Sequence, residues 1–317
     1  MAYLELFGGL IYLLMGGDLL VRGAVALARR AHVPPVVIAL SIVALGTSLP
    51  ELVVTVQAVL NGYPGIAIGN VVGSNIANVS LVVAVPAIFY PLTTTDRDTR
   101  RDAAIMLIVS LLFLVACLIG DLTRIEGLVL LAGLVAWLSH TARETARTYR
   151  ERDREAPLEF VLGLPTKGWL IALFVVAGAI GLPLGARMLV EAAVEIAARL
   201  GVSDTVVGLT IVAVGTSLPE LATSAVAAVQ RQTEMVLGTA IGSNVFNILA
   251  IMGAAAMVSP APIPVPHAFR TLNLPVMLLA AVLLAALVWR GRPVGRAAGV
   301  VLLAGYGLYL AAVFGLI

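Results

Sequence analysis

Apolar residues run through this chain in blocks of about 20, long enough to cross a bilayer, and without the alternating polar face of a surface helix. Ten such blocks are predicted as helices: about 3–28, 35–60, 65–90, 103–120, 124–140, 168–197, 205–230, 235–258, 269–289 and 295–316. The first is too long for a cleaved leader and carries Asp18 and Arg22 too early, so it is expected to be a span. A single long polar connector, 141–167, separates five blocks from five. Its predicted form is a solvated loop.

The two sets of five repeat each other. An offset of 169 residues lays "IVALGTSLPEL" on "IVAVGTSLPEL" and "GNVVGSNIANV" on "GTAIGSNVFNI" without a gap. The same offset lays "GGDLLVRGAVALARR" on "GARMLVEAAVEIAAR". Five spans, an odd number, separate equivalent positions, so the halves are expected to lie in opposite orientations across the membrane. Inverted repeats with Gly/Pro-interrupted helices in matching places are the signature of a transporter's binding site. The expected fold is therefore an all-α membrane protein of ten transmembrane helices in two inverted-topology five-helix repeats. Residues 1–140 form the first, 141–167 the linker and 168–317 the second.

Composition agrees. Of 317 residues, 60% are hydrophobic and 12% charged, with a mean hydropathy of +1.04, whereas soluble domains carry roughly 25% charge. A net charge of +2 gives no reason to expect nucleic acid as a partner. The single cysteine, Cys117, rules out an internal disulfide and is read as a packing residue. Fifteen of the twenty basic residues fall in loops on the side away from the termini. The positive-inside rule makes that side cytoplasmic and puts both termini, with Asp121, Glu126, Glu195 and Asp204, outside an inner or plasma membrane.

The chemistry concentrates in "GTSLPE", at 46–51 and again at 215–220. Pro50 and Pro219 remove a backbone donor, and Gly46 and Gly215 loosen the chain just upstream. Carbonyls around Ala44–Thr47 and Ala213–Thr216 are expected to lose their intrahelical partners, which a bilayer tolerates only where backbone lines a protein or water cavity. Glu51 and Glu220 lie near mid-span with no basic residue three or four positions away. A charge there costs at least about 2.5–3.5 kcal/mol on insertion scales. Carbonyls, the hydroxyls of Thr47, Ser48, Thr216 and Ser217, and the two carboxylates together make an all-oxygen cage of the kind Ca²⁺ prefers; without a His or Cys cluster, zinc, copper and iron are poorly served.

In the partner segments, Gly69/Gly73 and Gly238/Gly242 have the spacing of close helix packing. Ser74 and Asn78, like Ser243 and Asn247, lie four apart on one helix face. With Asn75 and Asn244, they are read as facing the cations, with interhelix hydrogen bonding as the alternative. Asp18–Arg22 and Arg187–Glu191 are expected to neutralise themselves as i,i+4 pairs.

The segments "ALGTSLPE…GNVVGSNIAN" and "AVGTSLPE…GTAIGSNVFN" resemble the α-repeats of the calcium/cation antiporter superfamily, typified by sodium/calcium exchangers. The resemblance implies four clustered cation sites at the midplane. Its ligands would be Ala44, Thr47, Ser48, Glu51, Ser74 and Asn78 in one half, and Ala213, Thr216, Ser217, Glu220, Ser243 and Asn247 in the other. Ala44, Thr47, Ala213 and Thr216 would act largely through carbonyls. Potassium-cotransporting members have Asp where Asn247 stands, so the resemblance favours K⁺-independent exchange of Na⁺ for Ca²⁺; the proton-coupled branch stays open. Ca²⁺ and Na⁺, with H⁺ as the alternative, and the lipid bilayer are the expected partners. No resident cofactor and no obligatory protein partner is expected. A cation channel with a Glu ring and an intramembrane hydrolase are the competing classes. The hydrolase, and with it enzyme activity, is disfavoured because a general acid and base need unlike environments, and here the ligands are symmetric.

Overall fold

In hydrocarbon a backbone must satisfy its own polar groups, and helices do so within one segment. The computed structural model, which describes residues 2–30, 46–93, 97–151, 163–229, 231 and 233–315, accordingly shows helices joined by short turns, and no strand among the described residues beyond two isolated antiparallel bridges. The helices are α1 (Ala2–Arg30), α2 (Leu49–Leu60), α3 (Pro64–Phe89), α4 (Arg97–Ile119), α5 (Arg124–Glu151), α6 (Gly168–Leu200), α7 (Asp204–Thr216) and α8 (Leu218–Val229). Then come α9, built from Thr233–Phe246, Asn247–Met252 and Gly253–Val258, followed by α10 (Phe269–Trp289) and α11 (Arg296–Val313). Among the described residues, seven helices are long and apolar enough to cross a membrane, or eight if α7 and α8 form one bent span. The chain is a multi-pass membrane protein.

Three boundaries differ from the sequence expectation. The span placed at 103–120 begins at Arg97, because the basic turn continues the helix beyond the apolar run and Arg101 pairs with Asp102 at 3.2 Å. The span ending near 140 continues to Glu151, so the first part of the 141–167 connector is helix and not loop; its alternating charges suit a solvated helix as well as a coil. The span at 205–230 divides at Ser217, with 41° between α7 and α8. Of the span at 35–60, residues 35–45 lie outside the described part.

α3 and α9 are the centre. Within their apolar windows 83% and 72% of residues are buried, against 33% and 28% for α1 and α6. α4 and α10 pack on each other and on the central pair, α5 lies along the end of α9, and α11 along the end of α3. Cys117 is fully buried in this core, as its packing role requires. Bridges Leu92–Val294 and Leu122–Ile263 tie the connecting loops at opposite ends of α4. Both α3 and α9 contain a π-helical turn, Asn78–Val83 and Asn247–Met252, which are separated by the 169-residue offset. Such single-turn wide helices are frequent at functional sites; Gly208–Val212 and Phe269–Asn273 are π-helical as well.

α1 and α6 form a separate antiparallel pair along one side. Their seam is made of glycine: a Cβ at Gly9 would fall 2.8 Å from the Gly185 carbonyl, and one at Gly16 would fall 2.9 Å from the Leu182 nitrogen. Small residues let backbones approach and are the usual membrane helix contact. The expected ion pairs form on these two helices, Arg22 Nε to Asp18 Oδ1 and Arg187 Nε to Glu191 Oε1, both at 2.8 Å.

Candidate cation site

The two breaks meet at the middle of the bundle. Ser48 and Ser217 each stand just before a helix whose first turn holds the Pro and the Glu. A serine there ordinarily caps the helix with its own oxygen. Ser48 makes no such cap. Its Oγ donates to Glu220 Oε1 of the other copy at 3.1 Å, and Ser217 Oγ donates to Glu51 Oε1 at 3.4 Å. The two bonds exchange under the 169-residue offset, so each copy's hydroxyl holds the opposite copy's carboxylate. Glu51 is 2% exposed and Glu220 fully buried. Among the described residues neither has an ion pair, and the second oxygen of each, Oε2, has no hydrogen-bond partner. Both carboxylates sit in a first helical turn, where the helix dipole favours negative charge. That offsets part of the cost of burying them, but supplies no counter-charge.

A second crossed set lies on α3 and α9. Asn78 Nδ2 donates to Asn244 Oδ1 at 3.0 Å, and Asn247 Nδ2 donates to Asn75 Oδ1 at 3.4 Å. All four side chains are buried. The oxygens Asn78 Oδ1 and Asn247 Oδ1 are without a partner. Four buried oxygens thus stand unsatisfied in two symmetry-related pairs: two carboxylate and two amide. Buried polar atoms in folded proteins are otherwise almost always paired, so these four oxygens are the candidates for contact with a ligand. Oxygen alone, with formal charge supplied by two carboxylates, is donor chemistry for a hard cation.

The remaining expected residues are placed as follows. Ser74 is fully buried, and its Oγ donates to the Ala213 carbonyl at 3.5 Å, tying α3 to α7. Thr216 is fully buried, and its Oγ1 donates to Asn70 Oδ1 at 3.1 Å. Thr47 is half-buried in the turn of the first break, and Ser243 is buried on α9. Ala44 lies outside the described residues. One expectation is corrected: the Ala213 carbonyl keeps an intrahelical partner, the Ser217 N–H at 3.1 Å. Proline removes the donor four residues after the affected carbonyl, so Pro219 deprives Gly215, not Ala213. Gly69 and Gly73 pack as their spacing suggests, with built Cβ atoms 2.8 Å from the Thr205 carbonyl and 2.5 Å from that of Leu209. A Cβ built at Gly238 or Gly242 meets nothing within 4 Å among the described residues; the positions aligned with this part of α7 in the first copy lie outside them.

Sequence reading missed Asn70. It is fully buried on α3; Nδ2 donates to Thr55 Oγ1 at 2.9 Å and to the Glu51 carbonyl at 3.3 Å, while Oδ1 accepts from Thr216. The available signal was its spacing, since Asn70, Ser74 and Asn78 fall at i, i+4 and i+8 on one face.

The chain is also similar to known proteins. The family described as "Sodium/calcium exchanger protein" matches residues 1–141 and 169–315. "Inner membrane protein YrbG" of Escherichia coli is 34% identical, the alignment covering 96% of this chain and 94% of that protein. "Sodium/calcium exchanger MaX1" of Methanosarcina acetivorans is 33% identical over 98% of each chain. Among solved structures, the sodium-calcium exchanger NCX_Mj, soaked with Na⁺ and Sr²⁺, superposes with a TM-score of 0.66 at 31% identity, covering 98% of this chain and 99% of that one. With a family match on both sides of the connector and relatives aligned almost end to end, the chain belongs to the sodium/calcium exchanger protein family.

Proposed function

We propose that this chain is a secondary antiporter that exchanges Na⁺ for Ca²⁺ by alternating access, extrudes Ca²⁺ and needs no K⁺. The observation that carries the reading is the pair of crossed serine–glutamate bonds with a free oxygen on each carboxylate. The cation ligands are Thr47, Ser48, Glu51, Ser74, Asn78, Thr216, Ser217, Glu220, Ser243 and Asn247, with the carbonyls of Ala44 and Ala213. Two carboxylates nearly cancel one Ca²⁺, or several Na⁺ that share the ligands. An empty site would carry two buried, uncompensated charges through the switch, which is prohibitively costly. Only loaded states therefore cross, and transport becomes obligatory exchange.

The ten-span, inverted-repeat topology belongs to the same proposal. Its support is that the crossed hydrogen bonds and the π-helical turns of α3 and α9 repeat at one offset. Residues 1–140 and 168–317 are the halves, with 141–167 on the cytoplasmic side and the termini outside. The α1–α6 pair is the moving element: it carries none of the ligands, is less buried than the centre, and has a glycine seam with little side-chain interlock. Sliding of packed helices is a known route to such transitions.

Potassium independence rests on Asn247. A carboxamide there leaves two acids in the site and no third to balance an additional monovalent ion.

Uptake of ⁴⁵Ca²⁺ into proteoliposomes under separate gradients tests the proposal. Uptake is expected with an outward Na⁺ gradient, unchanged by K⁺, and absent with a pH gradient in Na⁺-free medium. Uptake driven by pH without Na⁺ would make the chain a Ca²⁺/H⁺ exchanger, and flux that needs no counter-ion would make it a channel.

A further inference from the structure

Asn75 and Asn244 have no place in the ligand set, yet they are as deeply buried as Asn78 and Asn247. Their hydrogen bonds explain why. Asn244 Oδ1 accepts the N–H of Asn78, and Asn75 Oδ1 accepts that of Asn247. Their own amide nitrogens turn away, Asn75 Nδ2 toward Met277 Sδ at 3.8 Å and Asn244 Nδ2 toward Met106 Sδ at 3.7 Å and the Asn75 carbonyl at 3.3 Å. Met106 is on α4 and Met277 on α10, so each arm is backed by a helix outside the central pair.

A carboxamide has a donor end and an acceptor end of nearly the same shape. A cation attracts only the oxygen, so an asparagine ligand is useful only while its NH₂ points elsewhere. Here the NH₂ of each ligand-position asparagine is held by the opposite copy, and the oxygen is the atom left without a partner. We propose that Asn75 and Asn244 are positioning residues: a crossed carboxamide clasp that keeps the oxygens of Asn247 and Asn78 turned toward the cation and so sets Ca²⁺ affinity. The inference rests on the reading of Asn78 and Asn247 as ligands. It also has a mechanical consequence. Each arm runs between α3 and α9, so a shift of one helix past the other by a turn would break both arms at once; the clasp makes the central pair one body, against which other helices move.

A double-mutant cycle on purified protein in proteoliposomes tests the clasp. Asn244→Leu removes the acceptor at similar volume, and Asn78→Asp removes the N–H that needs it. Asn244→Leu alone is expected to raise the Ca²⁺ concentration for half-maximal uptake about tenfold, with the maximal rate changed by less than about twofold. In an Asn78→Asp background the same Leu is expected to shift half-saturation by less than about twofold, because no N–H remains to be held. Equal losses in both backgrounds would assign Asn244 to packing and overturn the clasp. The ligand reading is checked separately by the single variants: if both Asn78→Asp and Asn78→Leu keep the wild-type half-saturation, Asn78 is no ligand and the clasp falls with it. Should Asn244→Leu fail to give monodisperse protein, the other arm, Asn75→Leu with and without Asn247→Asp, supplies the same cycle.

Discussion

The two copies of the repeat agree in their crossed hydrogen bonds and differ one layer behind. Ser48–Glu220 and Ser217–Glu51 are interchangeable, as are Asn78–Asn244 and Asn247–Asn75. Behind them, Asn70 in the first copy engages both ends of its carboxamide: two N–H bonds to Thr55 and the Glu51 carbonyl, and its oxygen to Thr216. The second copy has the half-buried Thr239 at that position, and Ser224, the counterpart of Thr55, keeps a buried hydroxyl without a partner. A threonine has one donor where an asparagine has two, so the second copy lacks a side chain able to repeat the network. A duplicated chain is thus free to drift where it supports the site, while the atoms that point into it stay paired by symmetry. Because Asn70 also holds Thr216, the first copy steadies the break of the second.

The largest expected effect tests the symmetric layer. Glu51→Gln and Glu220→Gln should each reduce Na⁺-driven ⁴⁵Ca²⁺ uptake to the level of empty vesicles, since one remaining charge cannot balance a divalent ion; either variant transporting like wild type would end the shared-site reading. Next comes the asymmetric layer. Asn70→Thr copies the second half's residue into the first and removes the Asn70 hydrogen bonds to the Glu51 carbonyl, Thr55 and Thr216, each contributing about 0.5–1.5 kcal/mol. The maximal rate should fall about tenfold, whereas Thr239→Asn, at a half-buried position, should change it less than threefold. Similar losses from both would erase the distinction drawn between the copies.

Ser48→Ala and Ser217→Ala sharpen the symmetry itself. Each removes one hydrogen bond to a charged group, a contribution of about 1.5–3 kcal/mol, so half-saturating Ca²⁺ should rise by about tenfold or more in each. The two values should match within about threefold, and a larger gap would show that the two carboxylates are not equivalent. The smallest effect belongs to the exposed pairs on α1 and α6. Arg187→Gln removes an i,i+4 pair whose side chains are 67% and 53% exposed on the outside of the bundle, away from the buried site. Thermal unfolding and uptake should both stay near wild type; a large loss of uptake would give that pair a role in the sliding interface.

Much of the site was legible because its elements are covalent or local. Proline, glycine and glutamate in one hexapeptide announce a broken helix with a buried acid. The offset of 169 residues announces two copies, and Ser74 with Asn78 announces a polar helix face. Local rules misled where the tertiary environment outbid them. α5 runs past its apolar block to Glu151, because a charged segment in water can remain helical as readily as it can form a loop. The Ala213 carbonyl kept its partner, since the proline's gap falls two residues further on.

From residue order alone come the membrane, the duplication, the all-oxygen donor set and the two acids with no local counter-charge, all consequences of hydropathy, covalent chemistry and spacing. What needed the folded chain is which atom faces which. The partners that Glu51, Asn70, Asn75 and Asn244 find in the other half of the chain lie 138 to 202 residues away. No periodicity encodes a contact at that separation; it arises when two buried helices pack and their polar side chains, shut off from water, have only one another left to bind.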